Sequence, residues 1–248
     1  MLKPDFKELI SYENYARMMK MNLSNKRLSN LTGNFLSTFK GQGMEFDEVR
    51  EYSYGDDVRN IDWRVTARTD EVHVKTYHEE KQRDIVIAID HNDYMNFGTR
   101  GTFKNVQAAK IAAILGFAAN KNSDKVGFYI FGNQKNSFTY LRPKETKKSL
   151  LSGLKILSDH NDYENIYSID GSIFNLRRMN VNPSIIFVIS SFSNISEILE
   201  KNLVMMSKKS QIALINVVDD SDFEIPEIGR LIVGFRNKRY QINTFNKK

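Results

Sequence analysis

The sequence predicts an α/β fold: a doubly wound, mostly parallel sheet with helices on both faces, preceded by a helical and extended N-terminal segment. Three observations predict it. Residues 85–89 are five consecutive apolar residues that stop abruptly at Asp90-His91-Asn92-Asp93. An apolar run of this kind, rich in β-branched residues, reads as a strand buried on both faces, as in the middle of a parallel sheet. Comparable runs recur at 126–131, 184–189 and 212–218. The stretches between them carry apolar residues at helical spacing, and strands alternating with helices build a parallel sheet by crossover connections.

The elements follow in order. Residues 4–40 have mixed helical character, with Phe6, Leu9, Ile10, Tyr15, Met18 and Met19 near helical spacing, and they end at the joint Gly41-Gln-Gly43. Residues 44–68 interleave aromatics with charge of alternating sign. Gly55-Asp56-Asp57 is a turn signal there, and either aspartate suits the cap of a short helical turn leading to Trp63, the only tryptophan. Tyr52, Tyr54, Ile61 and Trp63 are costly to leave in water, and Arg50, Arg59, Arg64 and Arg68 stand beside many carboxylates. The expectation is an ordered cap, tied by arginine–carboxylate pairs, that buries Trp63 against the sheet.

Residues 72–78 alternate as a strand, which places His73 and His78 on opposite faces and excludes a shared metal there. The central strand 85–90 comes next, then a helix over 103–120. A strand at 126–131 follows, with a short edge strand at 138–141 and a helix over 145–157. Residues 159–168 are polar loop, 169–179 helix, 184–189 strand, 196–206 helix and 212–218 strand. Short strands at 231–233 and 239–242 lie in a basic tail. Two regions result: 1–82, the N-terminal segment, and 83–248, the sheet domain.

Composition narrows the chemistry. The 248 residues contain no cysteine, which excludes disulfides, thiolate metal sites and cysteine nucleophiles. The amino terminus lacks the apolar core of a secretory signal, and no apolar run approaches the ~18 residues of a membrane span, so a cytoplasmic protein is expected. The net charge of +6 is uneven. Residues 1–43 hold seven Lys/Arg against three Asp/Glu, and residues 230–248 hold six against none. Basic ends of this kind admit a second reading, binding of nucleic acid or an anionic surface, including peripheral contact with a membrane. No recognisable nucleic-acid module accompanies them, so no specific nucleic acid is expected.

Catalytic constellations are scarce. No Gly-x-Ser-x-Gly elbow is present. Gly98-Thr-Arg-Gly-Thr-Phe-Lys104 follows a strand and opens a helix, but its spacing is not that of a phosphate loop. His91, beside acids at a strand end, and His160, in a polar loop, make no recognisable metal set. Asp56 and Asp57 are adjacent on a turn, a poor geometry for an acid and a base sharing one substrate.

Two stretches together carry a family resemblance. The string Gly41-Gln-Gly-Met-Glu-Phe-Asp-Glu-Val-Arg-Glu-Tyr52, then Gly55-Asp-Asp-Val-Arg-Asn-Ile-Asp-Trp-Arg-Val-Thr-Ala-Arg68, closely resembles the signature of the domain-of-unknown-function 58 family. These are bacterial proteins with a von Willebrand factor A-like domain. The likeness continues at Val74-Lys75, Glu79-Glu80, Asp124-Lys-Val-Gly-Phe128 and Phe223-Glu-Ile-Pro-Glu-Ile-Gly229. The signature residues are Gly55, Asp56, Asp57, Arg59, Asp62, Trp63 and Arg68.

The resemblance implies a von Willebrand factor A-like fold and a non-enzymatic adaptor that binds protein partners. A MoxR-type AAA+ ATPase is the implied partner, in complex assembly or chaperone-like remodelling. In such domains the central strand ends in Asp-x-Ser-x-Ser, which helps to hold Mg²⁺ for a partner carboxylate. Here Asp90 keeps the first position, Asn92 and Tyr94 replace the serines, and Ser190-Ser191 stands where Ser-Asp is frequent. The expectation is a degraded metal site, with Mg²⁺ weakly held or absent at Asp90 and no other cofactor. Partner contacts are expected from Asp90, Asn92, Asp93, Tyr94 and Ser191, with Asp93 as a substitute ligand. A tyrosine hydroxyl is not expected to reach the site from a serine's position without a movement of the backbone.

Overall fold

The computed structural model describes residues 3–18, 44–79, 82–99, 101–132, 138–159, 168–193, 195–224, 227, 229–235 and 238–245. The expected helical continuation to residue 40, the Gly41–Gly43 joint and most of the polar loop with His160 lie outside them. The chain falls into two compact units, Asn22–Gln82 and Met1–Met21 with Arg83–Lys248.

In the smaller unit β1 (Met44–Glu51) pairs antiparallel with β2 (His73–Glu79). The sequence reading placed a strand at 72–78 but none at 44–51. Charged residues at five of its eight positions, and a register shift between Phe46 and Val49, break the period-two apolar pattern on which such a prediction rests. Between the strands the chain makes a turn at Gly55, where φ of +105° demands glycine. A short 3₁₀ turn follows (Val58–Asn60), capped by Asp57, then α3 (Trp63–Thr69), capped by Asp62. The Asp62 carboxylate accepts from the backbone N–H of Arg64 at 3.0 Å and of Val65 at 3.2 Å.

The larger unit is built on a five-stranded sheet. Its strands are β3 (Asp84–His91), β4 (Lys125–Gly132), β5 (Phe138–Lys144), β6 (Ile185–Ser190) and β7 (Gln211–Asn216). The spatial order is β5-β4-β3-β6-β7, with β5 antiparallel and the other four parallel. β3 is therefore central, as its apolar run predicted, and residues 85–90 are at most 1% exposed.

Helices cover both faces. On one, Val86, Ala88, Tyr129, Phe131, Ile186 and Val188 pack with Ile173 and Leu176 of α6 (Ile169–Arg178) and with Leu199 and Met206 of α7 (Glu197–Ser207). On the other lie α4 (Lys104–Lys121) and α5 (Lys147–Ser158), with Gly116 of α4 against Leu150 and Gly153 of α5 against the Phe128 ring. This is the predicted doubly wound, mostly parallel arrangement with helices on both faces. A second hairpin, β8 (Arg230–Phe235) with β9 (Lys238–Asn243), forms its own two-stranded sheet.

The N-terminal helices α1 (Phe6–Ser11) and α2 (Glu13–Met18) belong to the larger unit. The sequence reading grouped them with residues up to 82. Leu9 and Ala16 are each only 1% exposed. Glu8 pairs with Lys110 of α4 at 2.8 Å and Glu13 with Lys147 of α5 at 2.8 Å. These helices thus find their partners more than a hundred residues away in sequence, which local periodicity does not register. These contacts add to the cover of α4, whose alanines 108, 109, 112, 113, 118 and 119 are all buried.

Candidate functional site

Ligands of open α/β sheets bind beyond the carboxyl ends of the strands, and there the chain places one fully buried carboxylate. Asp90 is the penultimate residue of β3 and is 0% exposed. Ile89 of β3 pairs with Ile189 of β6, so the next residue on each strand, Asp90 and Ser190, stand side by side. The Ser190 hydroxyl donates to Asp90 Oδ2 at 2.6 Å. Beyond the strand the chain folds back over the carboxylate. Asn92 donates to Asp90 Oδ1 twice, from its backbone N–H at 3.0 Å and from Nδ2 at 2.8 Å. A one-turn 3₁₀ helix, Asp93–Met95, then brings the Tyr94 hydroxyl back to donate to Asp90 Oδ2. Met95, 0% exposed, anchors that turn in the core.

Gly132, at the end of β4, completes the floor. Its φ is +102°, and a Cβ there would lie 2.7 Å from the carbonyl carbon of His91. Only glycine permits so close a backbone approach.

Burial pushes the Asp90 carboxyl above the usual aspartate range, against the opposing pull of the hydroxyl and amide donors. Burial also raises the Tyr94 phenol, as does the neighbouring Asp90 carboxylate. Tyr94 therefore stays a hydrogen-bond donor at any ordinary pH.

The sequence-selected residues divide cleanly. Asp90, Asn92 and Tyr94 meet in one network, with Asn92 Nδ2 also 3.3 Å from the Tyr94 hydroxyl. Asp93 is exposed and starts the 3₁₀ turn. Ser191 is 7% exposed but makes none of the hydrogen bonds to Asp90; Ser190, one residue earlier, makes that contact. The parallel register of β3 and β6 was the signal that would have selected it. The Tyr94 hydroxyl does reach the carboxylate, on a backbone that has turned away from the strand as the expectation required. The 3₁₀ turn Asp93–Met95 supplies that change of backbone.

The donor set does not fit Mg²⁺. A hard dication takes oxygen ligands with free lone pairs converging on one point, with room for retained waters. The two Asp90 oxygens offer about four lone-pair sites. Those sites meet two N–H groups of Asn92 and two hydroxyls. Asn92 Oδ1 is buried without a hydrogen-bond partner, a single amide oxygen beside a spent carboxylate. Among the described residues no three His, Asp or Glu side chains gather at metal-binding spacing.

The loop before α4 is likewise engaged with the chain's own carboxylates. Thr99 donates to Asp219 through its backbone N–H at 2.8 Å and its hydroxyl at 2.6 Å. The Lys104 ammonium pairs with Asp222 at 2.6 Å. Hydrogen bonds from Ser221 and Thr99 hold the Asp219 carboxyl well below the usual range. The groups a phosphate would need are thus committed within the chain.

In the signature region the expected arginine–carboxylate pairs are present. Arg50 grips Asp56 with both guanidinium nitrogens, at 2.8 and 2.7 Å, and Asp56 also accepts from the backbone N–H of Ser53. The Arg50 hydrogen bonds hold the Asp56 carboxyl below its ordinary value. Arg59 pairs with Asp57 at 3.1 Å, and Lys75 with Asp62 at 3.3 Å. Asp56 and Asp57 are thus each engaged by an arginine of the same unit. Arg68 lies exposed in the last turn of α3.

The expected burial of Trp63 is corrected: its side chain is 69% exposed, and Tyr54 is fully exposed. Trp63 is the first residue of a seven-residue helix whose half-buried positions are Val65 and Thr66. The Thr66 hydroxyl accepts from the His73 backbone N–H at 3.0 Å, which fixes that face of α3 against β2 and leaves Trp63 off it.

A doubly wound α/β domain with a capped carboxylate at the end of its central strand is thus the class of protein the fold and site define. The family model for "Protein of unknown function DUF58" matches residues 48–244, and the chain belongs to that family. Among similar proteins, the uncharacterized proteins Rv1480 of Mycobacterium tuberculosis and Mb1516 of Mycobacterium bovis are each 25% identical over 228 residues. Each match takes in 88% of this chain and 68% of the relative. Among solved structures, BatB from Bacteroides thetaiotaomicron aligns with a TM-score of 0.42 at 17% identity, over 53% of this chain and 65% of that one, just under two thirds of its length. The SpRpn10 VWA domain aligns with a TM-score of 0.34 at 16% identity, over 54% of this chain and 88% of that one.

Proposed function

We propose that this chain is a non-enzymatic docking domain whose partner is a MoxR-type AAA+ ATPase, and that the pair assembles or remodels a protein complex in the bacterial cytoplasm. The loop after β3 carries the proposal. Its base is fixed by the buried Asp90 network and by Met95, while Tyr94 and Phe97 remain 41% and 46% exposed at its outer side. Aromatic side chains presented from a rigid base suit a protein contact, because little conformational entropy remains to be lost on binding.

The same network argues against catalysis. The lone pairs of the Asp90 carboxylate are directed at donors of the chain itself, so it is not placed to take a proton from a substrate. No helix of the described residues is long and apolar enough to cross a membrane.

The test is a pull-down of the purified chain with the MoxR-type ATPase of the same organism, without nucleotide, with ADP and with a non-hydrolysable ATP analogue. Retention in at least one state is expected, and loss of retention on Tyr94→Ala. Failure in every state removes the ATPase from the proposal. The competing reading rests on the exposed Arg230 and Arg239 of the β8–β9 hairpin. It predicts binding to DNA or anionic vesicles that weakens steeply as salt rises.

A further inference from the structure

We infer that Tyr94 is a built-in replacement for a cation: its hydroxyl closes the Asp90 carboxylate from the chain's own side, so the strand-end site works without a divalent ion and opens to one only when that hydroxyl is taken away. The inference deepens the docking reading but stands on the geometry of the closed carboxylate alone.

A buried carboxylate must have its lone pairs met, by a cation or by hydrogen bonds. At Asp90 three donors come from elements that the fold fixes in any case: Ser190 by the β3–β6 register, and the two N–H groups of Asn92 by the turn beyond the strand. Tyr94 supplies the fourth and is the only one of the donors that also reaches the surface, 41% exposed while Asp90, Asn92 and Ser190 are at most 1% exposed. With the Tyr94 hydroxyl in place, Asp90 is 0% exposed. An arriving cation would have to displace the phenol and bring its waters into that space, because Mg²⁺ gives up its hydration reluctantly.

With the phenol removed, the oxygens that remain around the opening are those of Asp90, the Ser190 hydroxyl and Asn92 Oδ1, the last buried without a partner. These are hard ligands of the kind such ions select. An ordinary satisfied aspartate would show no such latent site. The latch reading therefore differs from a purely structural role in what it predicts for the open variant.

The experiment is titration of Mn²⁺, followed by the electron paramagnetic resonance signal of the free ion, with Mg²⁺ competition. The natural chain is expected to leave millimolar Mn²⁺ free. Tyr94→Ser is expected to gain one saturable equivalent that Mg²⁺ displaces and that the double variant Tyr94→Ser with Asp90→Asn loses. Saturable binding by the natural chain that Asp90→Asn abolishes would overturn the inference. So would a folded Tyr94→Ser that binds no better than the natural chain. If Tyr94→Ser does not fold, Tyr94→Ala, the better helix former for the 3₁₀ turn, takes its place in the same titration, and the natural-chain titration decides independently of either variant. Neither depends on a partner, so a failed pull-down and a failed ion titration remain separate results.

Discussion

At the scale of single residues, the chemistry of the site is that of one carboxylate held out of water. Burial raises the Asp90 carboxyl, so the folded chain binds its proton more tightly than the unfolded chain does. The corresponding stability is fully present below the unfolded value of about 3.9 and is lost as pH rises through the folded value. Asp90→Asn removes that dependence. Urea unfolding from pH 4 to pH 7 should show the advantage of the natural chain over Asp90→Asn shrinking as pH rises; an advantage that grows would contradict it. Asp90, Asn92 and Tyr94 were legible in the sequence because an apolar run that ends abruptly in polar residues marks a strand end. Ser190 was not singled out in place of Ser191, because selecting it needs the register between two strands whose partners, such as Ile89 and Ile189, lie one hundred residues apart in sequence, which no local pattern carries. Trp63 was misread because hydrophobicity alone says that burial is favourable, not that a seven-residue helix has a face available for it.

At the scale of elements, the sheet was readable and its fastenings were not. The four parallel strands announce themselves as apolar runs, and the helices between them as amphipathic spacing. The joint that aligns β3 with β4 is a buried ion pair. Arg83 donates to Asp124 from its backbone N–H at 3.1 Å, from Nε at 3.0 Å and from an Nη at 2.6 Å. Asp124 is 2% exposed. Removing the guanidinium leaves the buried Asp124 carboxylate with only the backbone N–H of residue 83 from this partner, a loss of up to about 3–5 kcal/mol. Arg83→Ala should therefore lower the urea midpoint by an amount in that range at unchanged m-value, whereas Lys201→Ala, whose partner Glu197 is 86% exposed at the side chain, should change it little. β1 went unseen because its strand character lies in pairing with β2 and not in alternation of its own residues.

At the scale of the whole molecule, the N-terminal helices are part of the sheet unit and not of the signature unit that follows them in sequence. Leu9 fills a site that is 1% exposed, so Leu9→Ala should cost about 2–5 kcal/mol, measured by urea unfolding. A change below half a kcal/mol would mean that α1 does not close the core. The central claim is that the carboxyl end of the sheet docks a protein partner. Hydrogen exchange of the chain with and without the MoxR-type ATPase tests it most directly. New protection is predicted for the backbone of residues 91–97, and it should disappear with Tyr94→Ala. Protection confined to the β8–β9 hairpin, or none at the strand end while the complex persists, would contradict the claim.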